Sequence, residues 1–233
     1  MPQSFQSSTK EDFDRLATLD NDGWTHNNHY HGLLLQHVPA NCRNALEIGC
    51  GTGAFARQLA RHADHVLALD LSPEMIRVAQ SRSQQLPNIE FQLADALAWE
   101  GPTEHFDYLA CIATLHHLPQ KEMIRKLKLF LKKGGVLAIL DLFEHERRVL
   151  TKEGVVDATL NVAAMLTSVS LRLIHNGRLN PPRAVRAAWK AHGQHESYPM
   201  MKDVRAVCDE LLPGAVLRKH LLWRYSVIWR KPQ

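Results

Sequence analysis

Long runs of any one kind are missing from this chain. No stretch of Lys and Arg is long enough to make a nucleic-acid stripe, and a formal net charge of +4 is spread over 28 basic and 24 acidic residues. Binding to a polyanion is therefore not expected. The four cysteines, Cys42, Cys50, Cys111 and Cys208, show no paired spacing. That argues against a disulfide framework or a zinc site built on thiolates, and for reduced cytoplasmic packing. The longest apolar stretch, Val155 to Ile174, is broken by Asp157, Asn161 and Arg172, so no membrane span is expected. Met1-Pro-Gln-Ser-Phe-Gln-Ser-Ser has neither a basic start nor an apolar centre, which is unlike a signal peptide. Repeats and low-complexity segments are lacking too.

What is present is ordinary globular material. The chain has 233 residues and 45% hydrophobic content, enough for one sizeable core. Ser8-Thr-Lys-Glu11 resembles a capping box opening a helix through Leu19. A short helix is predicted around Tyr30 to Gln36, before Pro39. Strands follow at 44–48, 65–70, 89–93, 108–113 and 136–141, with helices at 52–62, 73–84 and 120–132 between them. Apolar strands alternating with amphipathic helices predict a parallel sheet covered on both faces. Ser72 with Pro73 marks a helix start, and Gly134-Gly135 is read as the end of the third of these helices. Beyond Asp141 a helical period takes over, with Val155, Val162, Leu166, Val169 and Leu173 on one face. That insertion could cover a substrate, meet a second subunit or pack onto the core. Short helices are predicted at 183–191 and 202–212. Two strand-like segments, 216–223 and 225–229, lie too close together for a crossover and predict an antiparallel hairpin at the sheet edge. Trp189, Trp223 and Trp229 read as packing.

The most informative segment is Ala45-Leu-Glu-Ile-Gly-Cys-Gly-Thr-Gly-Ala-Phe55. A buried strand runs into a turn bearing Gly49, Gly51 and Gly53, then into a helix. Without Cβ atoms, such a turn lets backbone N–H groups approach a ligand at a helix N-terminus. Two templates fit. Gly49-x-Gly51-x-x-Ala54 satisfies the dinucleotide pattern, and Glu47-x-Gly49-x-Gly51-x-Gly53 satisfies that of enzymes using S-adenosylmethionine (SAM). Asp70, ending the second strand, suits the ribose hydroxyls of either cofactor. Glu47 lies inside a strand end, a costly place for a carboxylate without a cation beside it; the methionyl ammonium of SAM would supply one. Asp95 follows the third strand, within reach of an adenine amino group. A hydride-transfer enzyme would need a Tyr-x-x-x-Lys pair or its equivalent, and none is expected at Tyr30, Tyr108, Tyr198 or Tyr225.

Here the chain resembles the class I SAM-dependent methyltransferases, in particular their small-molecule type 11 or UbiE-like group. The resemblance covers about residues 40 to 145. It rests on Leu46-Glu-Ile-Gly-Cys-Gly-Thr-Gly53, Leu67-Ala-Leu-Asp70-Leu-Ser-Pro-Glu-Met75, Ala94-Asp95-Ala96 and Phe106-Asp-Tyr-Leu-Ala-Cys-Ile-Ala-Thr-Leu-His-His-Leu118, in that order. It implies an α/β fold: a Rossmann-like, doubly wound sheet of seven strands, the last antiparallel, with a helical N-terminal lid and a helical insertion after the fifth strand. Residues 1–39 would be the lid, 40–145 the SAM-binding core, 146–200 the substrate cap, and 201–233 the final helix and hairpin. It further implies that Gly49, Gly51 and Gly53, with Cys50 between them, cradle the methionyl portion and that Asp70 holds the ribose. Leu71 and Met75 would lie against the adenine, Asp95 and Ala96 would meet its amino edge, and Ile112 would line the pocket. An asparagine or aspartate followed by Pro-Pro-aromatic marks DNA amino-methylating relatives. This chain has Ala113-Thr-Leu-His116 at that place.

Methyl transfer from a sulfonium needs alignment in a dry pocket more than it needs strong acid–base help. His116 and His117 follow the fourth strand, near the expected methyl position, and are the catalytic candidates: one could take a proton from a phenol or an amine, or shape the pocket. Tyr30 and His31 are candidate lid contacts to the cofactor. His26, His29 and His31 lack a Cys or acid at ligand spacing, so no metal is expected there. His192 and His195 with Glu196 form a second cluster, either facing the acceptor or standing in solvent. The expected partner is a small methyl acceptor, apolar or aromatic, in a monomer or homodimer. An NAD(P)-linked oxidoreductase and a non-catalytic SAM-binding protein are the competing readings.

Overall fold

The computed structural model describes residues 3–20, 22–144, 152–194 and 196–233. A seven-stranded sheet runs through its centre in the order β3-β2-β1-β4-β5-β7-β6. The strands are β1 (Cys42–Ile48), β2 (Ala63–Asp70), β3 (Ile89–Leu93), β4 (Phe106–Ile112), β5 (Leu131–Leu142), β6 (Val216–His220) and β7 (Arg224–Arg230). β1 to β5 pair in parallel, and β7 runs antiparallel to both of its neighbours. The helices are α1 (Gln3–Leu19), α2 (His31–Leu35), α3 (Ala54–Leu59), α4 (Pro73–Arg82), α5 (Gln120–Phe130), α6 (Lys152–Asn176), α7 (Arg183–His192) and α8 (Met201–Leu211). The Rossmann-like architecture expected from the sequence is the one found.

Period-two alternation builds a core on each face of the sheet. Leu109, Cys111, Leu137 and Ile139 meet Met123 and Leu127 of α5 and Val204 of α8 on one side. Tyr108, Ala110, Val136 and Ala138 meet Phe55 and Leu59 of α3 on the other. Each fully buried large side chain contributes roughly 1.5–3 kcal/mol. The Ser72 cap forms as expected: its hydroxyl accepts from the Met75 N–H at 3.1 Å and Pro73 opens α4.

Two expectations need correction. α1 starts at Gln3, so Ser8 lies inside the helix and Ser8–Glu11 is no cap. α5 stops at Phe130, and Gly134-Gly135 lies within β5 instead of ending the helix. There Gly134 takes φ +74, its N–H donates to Lys231 O, and Lys231 N–H donates to Gly135 O. The glycines thus shape the edge where β7 joins. α6 turns its stripe away from the core: Val162, Leu166, Val169 and Leu173 are 37–61% exposed. Its inner face is polar instead. Asn161 accepts from the Trp223 indole at 2.9 Å, Ser168 bonds the His26 ring at 2.7 Å, and Asn176 bonds both backbone groups of Trp24. The segments beneath α6 expose backbone and ring nitrogens, which need hydrogen-bonding partners more than apolar cover.

Sheet order reverses between β1 and β4, because the chain winds outward from β1 through β3 and then returns to start β4 on β1's other side. The carboxyl ends of these two strands therefore flank an open crevice. Gly53 helps to close its floor. With φ +76, a Cβ there would stand 3.0 Å from the Phe91 ring and 3.1 Å from Ala79 Cβ. Gly53→Ala is expected to destabilise the fold by about 2–4 kcal/mol from backbone strain and crowding. Gly32→Ala, where a Cβ meets nothing within 4 Å, is expected to be neutral or mildly stabilising. Urea midpoints at unchanged slope measure both, and equal midpoints would contradict the packing role of Gly53.

Candidate active site

Beyond Ile48 the chain turns through Gly49 and Gly51 at φ +71 and +52. The N–H groups of Gly49 and Cys50 both donate to Leu69 O, at 2.8 and 2.9 Å, pinning the turn to the end of β2. A Cβ on Gly49 would lie 2.1 Å from Thr114 Oγ1, so this glycine lets β1 and the loop after β4 approach. A Cβ on Gly51 would meet only Met75 Sδ, at 4.0 Å. At that residue the turn is a bare cradle facing a cavity of about 830 Å³.

Every sequence-predicted site residue except Tyr30 and Gly53 lines this cavity. Tyr30 instead donates its hydroxyl to Leu221 O at 2.8 Å and packs on the His220 ring, so it holds the lid to the hairpin. Gly53 faces α4 and β3. The wall also includes residues that sequence reasoning missed: Phe13 and Leu16 of α1, Thr114, Tyr198 and Arg224.

The acids differ in their partners. Asp70 Oδ2 accepts from Gly51 N–H at 2.8 Å and Oδ1 from Ser72 N–H at 2.9 Å. Burial raises its pKa, and these bonds only partly offset the effect. Glu47 is 2% exposed, at the end of β1. It accepts a bond from Ala56 N–H in the first turn of α3, but its Oε2 has no partner. Burial, aggravated by Asp70, pushes Glu47 well above the usual glutamate value. A buried acceptor with a free oxygen is what a cationic ligand group would complete. Asp95 accepts from Leu97 N–H at 2.9 Å through Oδ1.

Past Ile112 the wall becomes imidazole. His116 Nδ1 is 2.5 Å from Asp141 Oδ1, and its own N–H donates to Asp141 Oδ2 at 2.9 Å. Asp141, next to last in β5, is fully buried. Like Asp70, it is an acid at a strand's carboxyl end, and that signal was available in the sequence. His192 and Glu196 join this group. His117 Nδ1 stands 3.1 Å from Glu196 Oε2 without hydrogen-bond alignment, and His192 Nε2 is 3.4 Å from Glu196 Oε1. The second histidine cluster therefore faces the cavity wall, not solvent. Its remaining member, His195, lies outside the described residues. Burial alone would raise Glu196, but the surrounding histidines hold it below its usual value. His26 and His31, by contrast, are pushed down to about 4 by burial, and their partners are Ser168 and Gln58. They share no common centre.

The N-terminal segment closes over the turn. Asp20 accepts from Thr52 Oγ1 at 2.6 Å and from Arg82 at 2.7 Å, while Arg57 grips Asp22. Tyr198 does have Lys202 four residues on, but Lys202 is exposed on α8 while the Tyr198 ring lies 5.1 Å from His116. The two do not form a hydride-transfer pair.

Fold and site together define a class I methyltransferase architecture. The family model described as "Methyltransferase domain" matches residues 45–135. An uncharacterized methyltransferase of Mycobacterium tuberculosis (strain H37Rv) is 32% identical over 213 residues, covering 90% of this chain and 98% of that protein. A ubiquinone biosynthesis O-methyltransferase of Coxiella burnetii is 29% identical over 149 residues, covering 59% of this chain and 64% of that one. The N-methyltransferase NodS of Bradyrhizobium japonicum, solved with S-adenosyl-L-homocysteine, superposes with a TM-score of 0.64 at 20% identity, over 97% of this chain and 99% of that one. The chain belongs to the methyltransferase family and is a SAM-dependent methyltransferase. Among the described residues no helix is long and apolar enough to cross a membrane.

Burial of Glu47 has a price in stability. In the unfolded chain it ionises at its ordinary value of 4.5, and the fold raises that value. The penalty is therefore absent below about pH 4 and grows as pH rises. Glu47→Gln is expected to stabilise the ligand-free protein by roughly 1–3 kcal/mol at pH 7 and to change little near pH 4. Thermal melts at the two pH values test this, and a Gln variant less stable at pH 7 would contradict it.

Proposed function

We propose that this enzyme moves a methyl group from SAM to an oxygen of a small acceptor, with donor and acceptor meeting between the glycine turn and the His116–Asp141 wall. The observation that carries the donor assignment is the unpartnered, buried Glu47 Oε2 beside an open Gly51 cradle. Bound there, SAM supplies a methyl group on a sulfonium whose departing product is a neutral thioether. Glu47 would take the ammonium, and the Gly49–Gly51 turn the methionyl backbone. Asp70 keeps acceptor capacity for ribose hydroxyls, since each carboxylate oxygen accepts more than one bond. Asp95 and Ala96 would meet the adenine edge, with Leu71, Met75 and Ile112 as apolar walls.

The acceptor would occupy the remaining cavity, against His116, His117 and Tyr198 and beneath the cap. Trp189, which was expected to be packing, is 52% exposed and lines this end, giving a flat apolar or aromatic molecule a surface. The O-methyltransferase name of the Coxiella relative supports oxygen over nitrogen. Residues 1–39 and 146–200 would act as lid and cap on the 40–145 core, excluding water and holding oxygen and methyl in line. Four buried thiols suit a reducing cytoplasm.

Calorimetric titration with SAM, S-adenosylhomocysteine and NAD(P) is expected to show binding of the two sulfur nucleosides only. Asp70→Ala should weaken SAM by about 1–3 kcal/mol, through lost charge-assisted ribose contacts. Because only ionised Glu47 attracts a cation, SAM affinity should rise with pH through the raised Glu47 titration, by up to about tenfold per unit. In Glu47→Gln it should be weak and flat. Tight NAD(P) binding, or Gln and wild-type profiles that coincide, would refute the assignment.

A further inference from the structure

His116 and Glu196 approach each other in a way that ordinary hydrogen bonding leaves incomplete. Asp141 accepts at His116 Nδ1, which places the ring proton there and leaves the Nε2 lone pair pointing away from Asp141. That nitrogen stands 3.6 Å from Glu196 Oε2, an acceptor facing an acceptor. His117 Nδ1, 3.1 Å from the same oxygen, is buried with no hydrogen-bond partner. The three donor atoms lie within 4.8 Å of one another, on side chains that are 4, 9 and 3% exposed. Two lone pairs and a carboxylate oxygen converging in a dry wall are completed by a cation.

From this geometry we infer that His116, His117 and Glu196 bind one divalent transition-metal ion at the acceptor end of the cavity. Ligands about 2.0–2.1 Å from a tetrahedral ion stand roughly 3.3 Å apart, close to the 3.1 and 3.6 Å separations here. Two imidazoles with one carboxylate suit Zn²⁺, with Mn²⁺ or Fe²⁺ as relatives of the same donor set, and do not suit the all-oxygen preference of Mg²⁺ or Ca²⁺. The surroundings are those of a built site. Asp141 orients the His116 ring from behind through Nδ1, the usual carboxylate support of a ligating histidine. His192 engages the other Glu196 oxygen at 3.4 Å and is held by Asp12 of α1, also at 3.4 Å.

The three ligands come from two segments, the loop after β4 and the stretch between α7 and α8, so the site exists only when these two are brought together. An open coordination position would bind an acceptor oxygen and lower the pKa of its hydroxyl, the help an O-methyl acceptor needs. This role rests on the reading above that the acceptor occupies the His116 end. The metal site itself does not.

The test uses the full chain, stripped with chelator and dialysed against Zn²⁺ or Co²⁺. Wild type is expected to retain about one ion per chain by elemental analysis, to show Co²⁺ d–d absorption, and to melt at higher temperature with metal. Glu196→Gln and His117→Ala should lose all three signals. Asp141→Asn should bind about 10–100-fold more weakly. Surface His65→Ala should match wild type. Melting curves without metal confirm that the variants fold. Absence of a stoichiometric ion in wild type, or its retention in Glu196→Gln, overturns the site. SAM titration of the same protein separates the readings: a protein that binds SAM but takes up no ion removes the metal site alone, and one that takes up the ion but not SAM removes the donor assignment alone.

Discussion

The reversal of strand order between β1 and β4 is the constraint on which this structure turns. Helical connections leave β1 and β4 toward opposite sides, so neither covers the carboxyl ends of the two central strands. Whatever follows those strands must fill the gap or line it. After β1 comes a turn held open by left-handed glycines and pinned to Leu69 O. After β4 comes Thr114, packed onto Gly49, and then the paired histidines. The site is thus an outcome of topology before it is one of side-chain chemistry.

Within that gap the protein accepts electrostatic cost. Glu47, Asp70 and Asp141 lie at or one residue before the carboxyl ends of β1, β2 and β5, and all are largely withdrawn from water. Their fates differ with the neighbouring backbone. Asp70 accepts from the N–H groups of Gly51 and Ser72, and Asp141 from those of His116 and Leu142. Glu47 sits one position earlier than its strand's end and reaches only one N–H of α3. Its unfilled oxygen is the kind of destabilisation a binding site keeps for its ligand.

The central α/β architecture was legible because its signals are local: apolar strands, the Ser72-Pro73 start and the glycine turn. Strand ends were less so, as β5 shows, since tertiary pairing with Lys231 extended the strand across Gly134. The glycine-turn half of the cavity was legible for the same reason, its residues falling within one contiguous motif series. The half around His116 was legible only in part, through His116, His117 and Glu196. Asp141, Tyr198 and Arg224 come from three separate segments outside those motifs, and no spacing rule relates His116 to a glutamate in a loop before α8. Tyr30 was misassigned because a lid position predicts proximity, while its hydroxyl found an orphan carbonyl at Leu221. For α6 the period left open where the apolar stripe points, since period alone does not say which neighbour is polar.

The N-terminal segment and α6 are held over the cavity by polar contacts, Asp20 to Thr52 and Arg82, Asn27 to Arg224, Asn176 to the backbone of Trp24 and Ser168 to His26, beside an apolar seam of Leu16, Ala17, Met75 and Ala188. Such bonds exchange with water at a net cost near 1 kcal/mol each, far less than reopening an apolar core. A cavity of about 830 Å³ enclosed in this way can admit and release a nucleoside cofactor without disturbing the sheet. The closing contacts are also directional. They fix the N-terminal segment and α6 in one register over the cavity, and in-line transfer requires such fixed alignment of a pocket assembled from distant pieces of chain.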